Sequence, residues 1–401
     1  MTETCLPNRG KSKYTERVRS LNIILVIHHY LDPNTGAAGA AYQRSLEYKK
    51  LGHKAEVYSF KNLPEWMPGK VKSVLFPYFA AGYIIQSIRK QRIDVVEALN
   101  GDTWLWGMLK WKLYGPLSVT HTQGLEHTFH KELLEEARRG NVRLSWMDLL
   151  YFGGVRLWEE ATSLRRADLV LFLNRYDLNY AVKELGVKPE RARIVANGIP
   201  GNFLNLPFGA TPVAQDALIR VAQVGSYIPR KGIKYTAPAL NAVLTRHPQV
   251  QATFLGTGYS ADQVLADYDP SVRTRIKVVS RYTRAELPTL LEGHHIKLFS
   301  SLAEGFSLGL VEAMACGLAP VVTATPGALE IAQDAHDALI VPARDSQAIE
   351  QALERLIIDR SLLDRLRRNA HSKAQLYSWS RIAQQTLDLH EEFVQKRGTG
   401  K

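Results

Sequence analysis

Twelve short apolar runs, most followed by a stretch of helical periodicity, constrain this chain more than any other feature of it. In the first half they are Ile23–Ile27, Glu56–Phe60, Asp94–Leu99, Ser118–His121, Leu169–Leu173 and Ile194–Ala196. In the second they are Ile219–Val224, Thr253–Leu255, Ile276–Val279, Ile296–Phe299, Pro320–Thr323 and Leu339–Val341. Strands alternating with helices predict βαβ units and parallel sheets. The helical pattern is clear over Ser346–Ile357, where Ile349, Ala352, Leu353, Leu356 and Ile357 share one face. Twelve strands exceed one ordinary doubly wound sheet, so two sheets of about six strands are expected. The 401 residues agree with two or three domains.

The division is expected within Asn197–Thr211, a stretch rich in Gly, Pro and Asn. The first 20 residues read as a polar tail without the apolar core of a secretory signal. The best candidate for a membrane span, the charge-free apolar stretch Ser73–Ile88, contains Pro77 and Gly82. It falls short of the ~20 residues that cross a bilayer. Lys72–Lys90 reads either as a core helix beneath the first sheet or as an amphipathic membrane-contacting helix. Cys5 and Cys316 make no disulfide framework, and Cys316 reads as an inert buried thiol in a reducing, cytoplasmic compartment.

The chain carries a net charge of +12, unevenly spread. Residues 1–200 hold 29 Lys and Arg against 20 Asp and Glu; residues 201–401 hold 22 against 19. An excess of this size suits an anionic partner: a membrane surface, a phosphorylated substrate or nucleic acid. Nucleic acid is disfavoured, because no zinc-finger spacing and no long basic run is present. Asp267 and Asp269 form an isolated Asp-x-Asp in a polar loop. The pairs His28-His29 and His294-His295 lack further partners at metal-ligand spacing. No metal site is expected.

Chemistry concentrates at the predicted strand ends, where open α/β sheets bind ligands. In Ser300–Gly317 (SSLAEGFSLGLVEAMACG) a strand ends near Ser300 and a helix begins around Ser307 or Leu308. Free backbone N–H groups at such a helix start make a site for phosphate oxygens. Glu304 and Glu312 flank it as acceptors for sugar hydroxyls, and this pairing suggests a reader of sugar nucleotides. The bland alternative is a capping Glu304 and a solvated Glu312. Lys231 reads equally as a phosphate ligand or a solvated lysine, and Arg230 is ambiguous for the same reason. In the first half, Gly36 and Gly39 follow the first strand, as a ligand-approaching turn or as tight helix packing. Thr120–His130 (THTQGLEHTFH) places three histidines beside a strand end.

These segments together resemble a known family. EGFSLGLVEAMACGLAPVVTATPGALE is similar to the Glu-x7-Glu signature of the retaining nucleotide-sugar glycosyltransferases of family 4. VGSYIPRKGIKYTAPAL (Val224–Leu240) resembles the family's Gly-Arg-x-x-x-x-Lys-Gly segment, and FLGTG (Phe254–Gly258) its Gly-x-Gly turn. Ala167–Phe203 resembles the close of the acceptor domain, with Asn197-Gly198. Asp32–Phe60 resembles the opening Gly-rich loop, with Gly52, His53 and Val57 in place. Tyr377–Glu392 resembles the terminal helix that crosses back to the first domain.

The resemblance implies an α/β chain of the GT-B kind, two Rossmann-like domains facing across a cleft. Residues 21–205, with the crossing helix 380–395, would bind the acceptor, and 206–379 the nucleotide sugar. Glu304 would contact hydroxyls of the transferred sugar and Glu312 the ribose. The backbone around Phe306–Gly309 and Lys231 would hold the diphosphate. Gly225, Ser226, Arg230 and Gly256 would complete the donor site. Ser226 departs from the family, which often has Arg there, so one of two usual phosphate cations is missing. The family's His-Gly pair reads Gln123-Gly124. His121, Glu126 or His127 would take over at the reaction centre.

The implied activity is transfer of a sugar from a nucleotide sugar to an acceptor hydroxyl, retaining and metal-independent, with no cofactor. A lipid-linked or saccharide acceptor in cell-envelope, exopolysaccharide or glycolipid assembly is favoured, with an anionic membrane surface as partner. A small soluble acceptor, or a non-catalytic sugar-nucleotide-binding scaffold, is the alternative.

Overall fold

The computed structural model describes residues 19–109, 115–208 and 213–399. Cys5, most of the polar tail and the end of the Asn197–Thr211 segment lie outside the described residues. Two parallel six-stranded sheets are present. The first comprises β1 (Asn22–Ile27), β2 (Lys54–Ser59), β3 (Val95–Leu99), β4 (Leu117–His121), β5 (Leu169–Phe172) and β6 (Ala192–Ile194), in the order β2-β1-β3-β4-β5-β6. The second comprises β7 (Ile219–Val224), β8 (Val250–Leu255), β9 (Ile276–Val279), β10 (Ile296–Phe299), β11 (Ala319–Thr323) and β12 (Leu339–Val341), in the order β12-β11-β10-β7-β8-β9. All twelve expected strands are there. The last strand of the first sheet lies two residues earlier than expected, because Phe172 pairs with Ile194 and the chain leaves the sheet after it.

Both sheets are buried on both faces, which is why their strands read as apolar runs. Successive side chains alternate between faces. Ile23 and Leu25 pack with Trp379, Ile382 and Leu387 of the terminal helix Trp379–Thr399. Ile24 and Val26 pack with Phe76, Ile84 and Trp106 on the opposite face. The terminal helix thus belongs to the first domain's core. The chain crosses between domains twice at one place, where Ile199 bridges Ser378.

Strand order reverses direction of travel beside β1 in the first sheet and between β7 and β10 in the second. Such points open a crevice at the carboxyl ends of the strands. The turns after β7 and β10 are joined there: Ser300 Oγ donates to the Lys231 carbonyl at 2.9 Å, and the Leu302 N–H to the Arg230 carbonyl at 2.8 Å. The two predicted donor segments are therefore one structural unit.

Candidate active site

The turn leaving β10 carries Glu304 into the cleft. Its carboxylate is buried, accepts from Lys231 Nζ and from Ser301 Oγ at 3.2 Å, and lies 3.6 Å from Arg230. Burial pushes this carboxyl up, but Lys231 and Arg230 outweigh it and hold it below the usual range. Glu304 is therefore an anion with a fixed orientation. Ser307 then caps the helix Leu308–Ala315, its Oγ accepting from the Leu310 N–H at 3.2 Å. Among the described residues, no protein acceptor is bonded to the N–H groups of Phe306, Ser307, Leu308 or Gly309. Four free donors at a helix start, with Lys231 nearby, suit a phosphate group. Gly225 packs along this lysine: a Cβ there would lie 3.5 Å from Lys231 Cε. Ser226 follows it at the edge of the same turn. Gly256, after β8, lies under the Tyr282 ring.

Glu312 sits one turn into the helix and is buried. Its partner is Arg284, which the sequence reading did not single out. Arg284 Nε lies 2.9 Å from Glu312 Oε1, but out of line for a hydrogen bond, so that oxygen keeps its acceptor capacity. Burial raises the Glu312 carboxyl and Arg284 opposes the rise. Arg284 also reaches the first domain: its backbone N–H donates to Asn34 Oδ1 at 3.0 Å and its Nη1 to the Pro33 carbonyl at 3.2 Å. Gly39 lets this happen, since a Cβ there would lie 3.2 Å from Arg284 Nη1 and 2.8 Å from the Pro33 carbonyl oxygen. Gly36 caps the same helix, Ala37–Lys50. The Gly-rich loop and Glu312 thus meet through a residue in an undistinguished polar turn.

Across the cleft, Gln123-Gly124 touches the turn beside Glu304. A Cβ on Gly305 would fall on Gly124 Cα and 2.9 Å from the Gln123 carbonyl oxygen, so only glycine fits. Asn174 Nδ2 donates to the Gly305 carbonyl at 2.8 Å. Gln123 Oε1 accepts from Asn197 Nδ2 at 2.8 Å, leaving Gln123 Nε2 and Asn197 Oδ1 buried and unpartnered. An unpaired donor and acceptor therefore stand beside the Glu304 turn.

The histidines fall elsewhere. His121 is fully buried and does not reach the cleft. It shares a face of β4 with Leu117 and Val119, and the terminal helix covers that face. There its Nδ1 meets Glu97 at 3.3 Å, in a cluster with Arg44, Tyr48 and His390. His127 opens the helix Glu126–Arg138, with Nδ1 2.7 Å from Glu160. The Glu160 carboxylate also accepts from the N–H groups of Glu126 (3.1 Å) and His127 (3.4 Å), capping that helix. Glu126 lies 3.9 Å from Arg156 and is partly exposed. A further pair was missed. His28, after β1, has Nδ1 2.6 Å from the buried Asp102, after β3, with Arg156 3.4 Å from both. The residues are 74 apart in sequence, and only the sheet order joins them. Asp267 accepts from Tyr227 OH at 2.8 Å, and His294 bonds Thr253 at 2.9 Å; both are structural. The Cys316 thiol is pushed up to about 12, by burial first and then by Glu312.

With this geometry in place, the comparisons decide the family. The model described as "Glycosyltransferase Family 4" matches residues 25–202, and that described as "Glycosyl transferases group 1" matches 213–373. The chain belongs to glycosyltransferase family 4. It is 22% identical over 295 residues to an Escherichia coli enzyme, UDP-Gal:alpha-D-GlcNAc-diphosphoundecaprenol alpha-1,3-galactosyltransferase, covering 71% of this chain and 72% of that one. Sucrose-phosphate synthase from Thermosynechococcus elongatus shares the fold, with a TM-score of 0.71 at 19% identity over 93% of this chain and 98% of that one. HepE of Anabaena, solved with UDP, gives 0.68 at 18% identity over 93% and 100%. The architecture of the transferase is accordingly GT-B.

Proposed function

We propose that this glycosyltransferase moves a sugar from a nucleoside diphosphate sugar to a hydroxyl of a lipid-linked acceptor, retaining anomeric configuration and needing no metal. The observation that carries the reading is the β10 turn. It carries a fixed carboxylate and four free N–H groups in one short segment, against Lys231 from the turn after β7. The bond from the anomeric carbon to the diphosphate oxygen breaks as Lys231 and the N–H row take up the developing charge. These fixed positive groups supply what a metal would supply elsewhere. Glu304 holds hydroxyls of the sugar, and its ion pair fixes Lys231 in turn. The acceptor hydroxyl attacks from the face the diphosphate leaves, and its proton passes to the departing phosphate oxygen. No side-chain nucleophile is then required. Gln123 Nε2 and Asn197 Oδ1 are placed to receive polar groups of sugar or acceptor.

A lipid-linked acceptor is supported by the relative that acts on a diphosphoundecaprenol substrate and by the first domain's surface. The helix Gly69–Lys90 buries Phe76, Ala80 and Ile84 while exposing Val71, Val74, Leu75, Tyr78 and Phe79. Its inner side is that of a core helix, and its outer side offers the apolar face that a membrane contact would use. The neighbouring π-helical stretch Asp148–Val155 exposes Leu149, Leu150 and Phe152. Trp104 links the two surfaces, with its ring 5.7 Å from Tyr78 and 5.0 Å from Trp158. An apolar face on a domain of net positive charge fits the anionic inner face of a membrane. No helix among the described residues is long and apolar enough to cross one.

The test is incubation with UDP, GDP, ADP and TDP sugars and a polyprenyl-diphosphate sugar, with and without EDTA. The anomeric configuration of the product is read by NMR. Retained configuration undiminished by EDTA is expected. An inverted product, or dependence on added metal, would refute the mechanism. Binding to anionic but not neutral vesicles, weakened by salt, is expected of the membrane face.

A further inference from the structure

We propose that Arg284 exchanges partners when a nucleotide enters: ribose hydroxyls take over Glu312, and the released guanidinium turns onto the diphosphate. The inference rests on the sugar-nucleotide reading of the site. It assigns Arg284 the cationic role that Ser226 cannot fill.

Charge balance makes the case. A diphosphate arriving at the Phe306–Gly309 donors brings at least two negative charges. The helix start offers roughly half a positive charge. Lys231 and Arg230 both lie against the one carboxylate of Glu304 and leave a single net positive charge, and Arg230 also directs Nη1 to the Ala303 carbonyl at 3.1 Å. The turn after Gly225 contributes a neutral serine. The site thus falls short of the charge of a diphosphate, and Arg284 is 2.9 Å from the carboxylate that the ribose would use.

Its present bonds are few. A guanidinium has five N–H donors. Here the only side-chain hydrogen bond among the described residues is from Nη1 to the Pro33 carbonyl, at 3.2 Å. The contact with Glu312 is close but misaligned, so Oε1 stays unpartnered despite its burial. A ribose hydroxyl can meet that oxygen in line. Displacement without a new partner would strand a largely buried cation, since the Arg284 side chain is only 13% exposed. Glu312 lies one helical turn, about 5 Å of rise, inside the N–H row. Rotation of the long side chain about its own bonds covers that distance. The exchange also releases the Pro33 carbonyl, while the Arg284 N–H keeps its bond to Asn34 Oδ1.

The experiment is calorimetric titration of wild type, Arg284→Ala, Ser226→Arg and the double variant with UDP, GDP, ADP and TDP, and with the matching nucleosides. For the diphosphate that binds wild type, Arg284→Ala is expected to weaken affinity about tenfold or more, and Ser226→Arg to restore most of it in the double variant. Affinity for the uncharged nucleoside should be unchanged or tighter in Arg284→Ala, because the competitor for Glu312 is gone. Diphosphate binding within twofold of wild type in Arg284→Ala would overturn the exchange. An equal loss for nucleoside and diphosphate would overturn it too, marking Arg284 as a structural support. If wild type binds none of the four diphosphates, the sugar-nucleotide reading itself fails, and the exchange with it.

Discussion

The turns that leave β10 and β4 meet across the cleft, yet they are built in opposite ways. The β10 turn carries its own functional groups: Glu304, Ser307 and Glu312 come from one segment that the strand and the helix cap set, although Lys231, Asn174 and Gly327 brace it from elsewhere. The β4 turn is held from a distance. Asn100 fixes the backbone at Gln123 and Gly124, with bonds of 3.0 and 3.1 Å. Glu160 caps the following helix, and Asp177 accepts from the Leu125 N–H at 3.3 Å. A contiguous site shows its chemistry in its own spelling. A site assembled by remote carboxylates does not, and its histidines mislead.

The sharpest test of this contrast is Glu304→Gln. The variant keeps the shape and removes the charge that orients Lys231 and that, on the proposed reading, meets the sugar. Turnover is expected to fall on the order of 10²- to 10³-fold, with nucleotide affinity changed much less. The measurement is kcat and KM with the cognate donor. A loss confined to KM would place Glu304 in binding alone.

On the opposite side, His121→Ala should act on folding and not on chemistry. It removes a buried partner of Glu97 and opens a cavity under the terminal helix, costing about 2–3 kcal/mol. Denaturant unfolding reads the loss, and kcat per folded molecule is expected to stay within about threefold of wild type. A large drop in kcat in a fully folded variant would return His121 to the reaction centre. Burial, and then Arg44, push the His121 and His390 imidazoles down to about 4. Both are therefore neutral in the folded state at neutral pH. As pH falls, the unfolded chain takes up protons at about 6.5 that the folded one refuses until about 4. Stability should therefore decline from roughly pH 6.5 to 4, and less steeply in His121→Ala.

Glu312→Ala is a smaller perturbation of the β10 side. It deletes one acceptor of a neutral hydroxyl pair, and about a tenfold loss of nucleotide affinity is expected by calorimetry. Unchanged affinity would detach the second glutamate from the ribose.

How much of this was legible follows the same division. The strands could be read because burial on both faces makes most of them apolar runs, the edge strands β2 and β9 keeping exposed Lys54, Glu56 and Lys277. The Ala192–Ile194 strand was displaced because pairing with Phe172, and not apolar content, sets its end. Glu304 and Glu312 stand out by their local spacing, whereas Lys231 stands out only through the family resemblance. Arg284 could not: it lies in a polar turn whose Thr283–Glu286 capping box gives it an ordinary local reason to exist. The His28–Asp102 pair requires β1 beside β3, an adjacency that the order of elements along the chain leaves open. His121 was misplaced because residues at a strand end look alike from either face. Only the docking of His390 beneath the sheet shows which side is covered.

The smallest effect comes from a residue that breaks the apolar pattern of β10 itself. Lys297 is fully buried, and among the described residues its amine donates only to the Leu298 carbonyl, at 2.9 Å. Burial, then the charge of Lys231, push its pKa well below the usual lysine range, with Glu304 opposing. A lysine whose pKa is lowered by folding holds its proton more tightly in the unfolded state. Its penalty is therefore present at neutral pH and vanishes above about pH 10.5, where both states are neutral. Lys297→Met keeps the length of the side chain without the amine and is expected to stabilise the fold by about 1–2 kcal/mol at pH 7. That gain should shrink as pH rises toward 10.5, measured by urea unfolding across the range. A gain independent of pH would mean that packing alone is responsible. A loss would mean that the buried amine supports the Lys231–Glu304 pair, and that the β10 turn also depends on a residue outside its own motif.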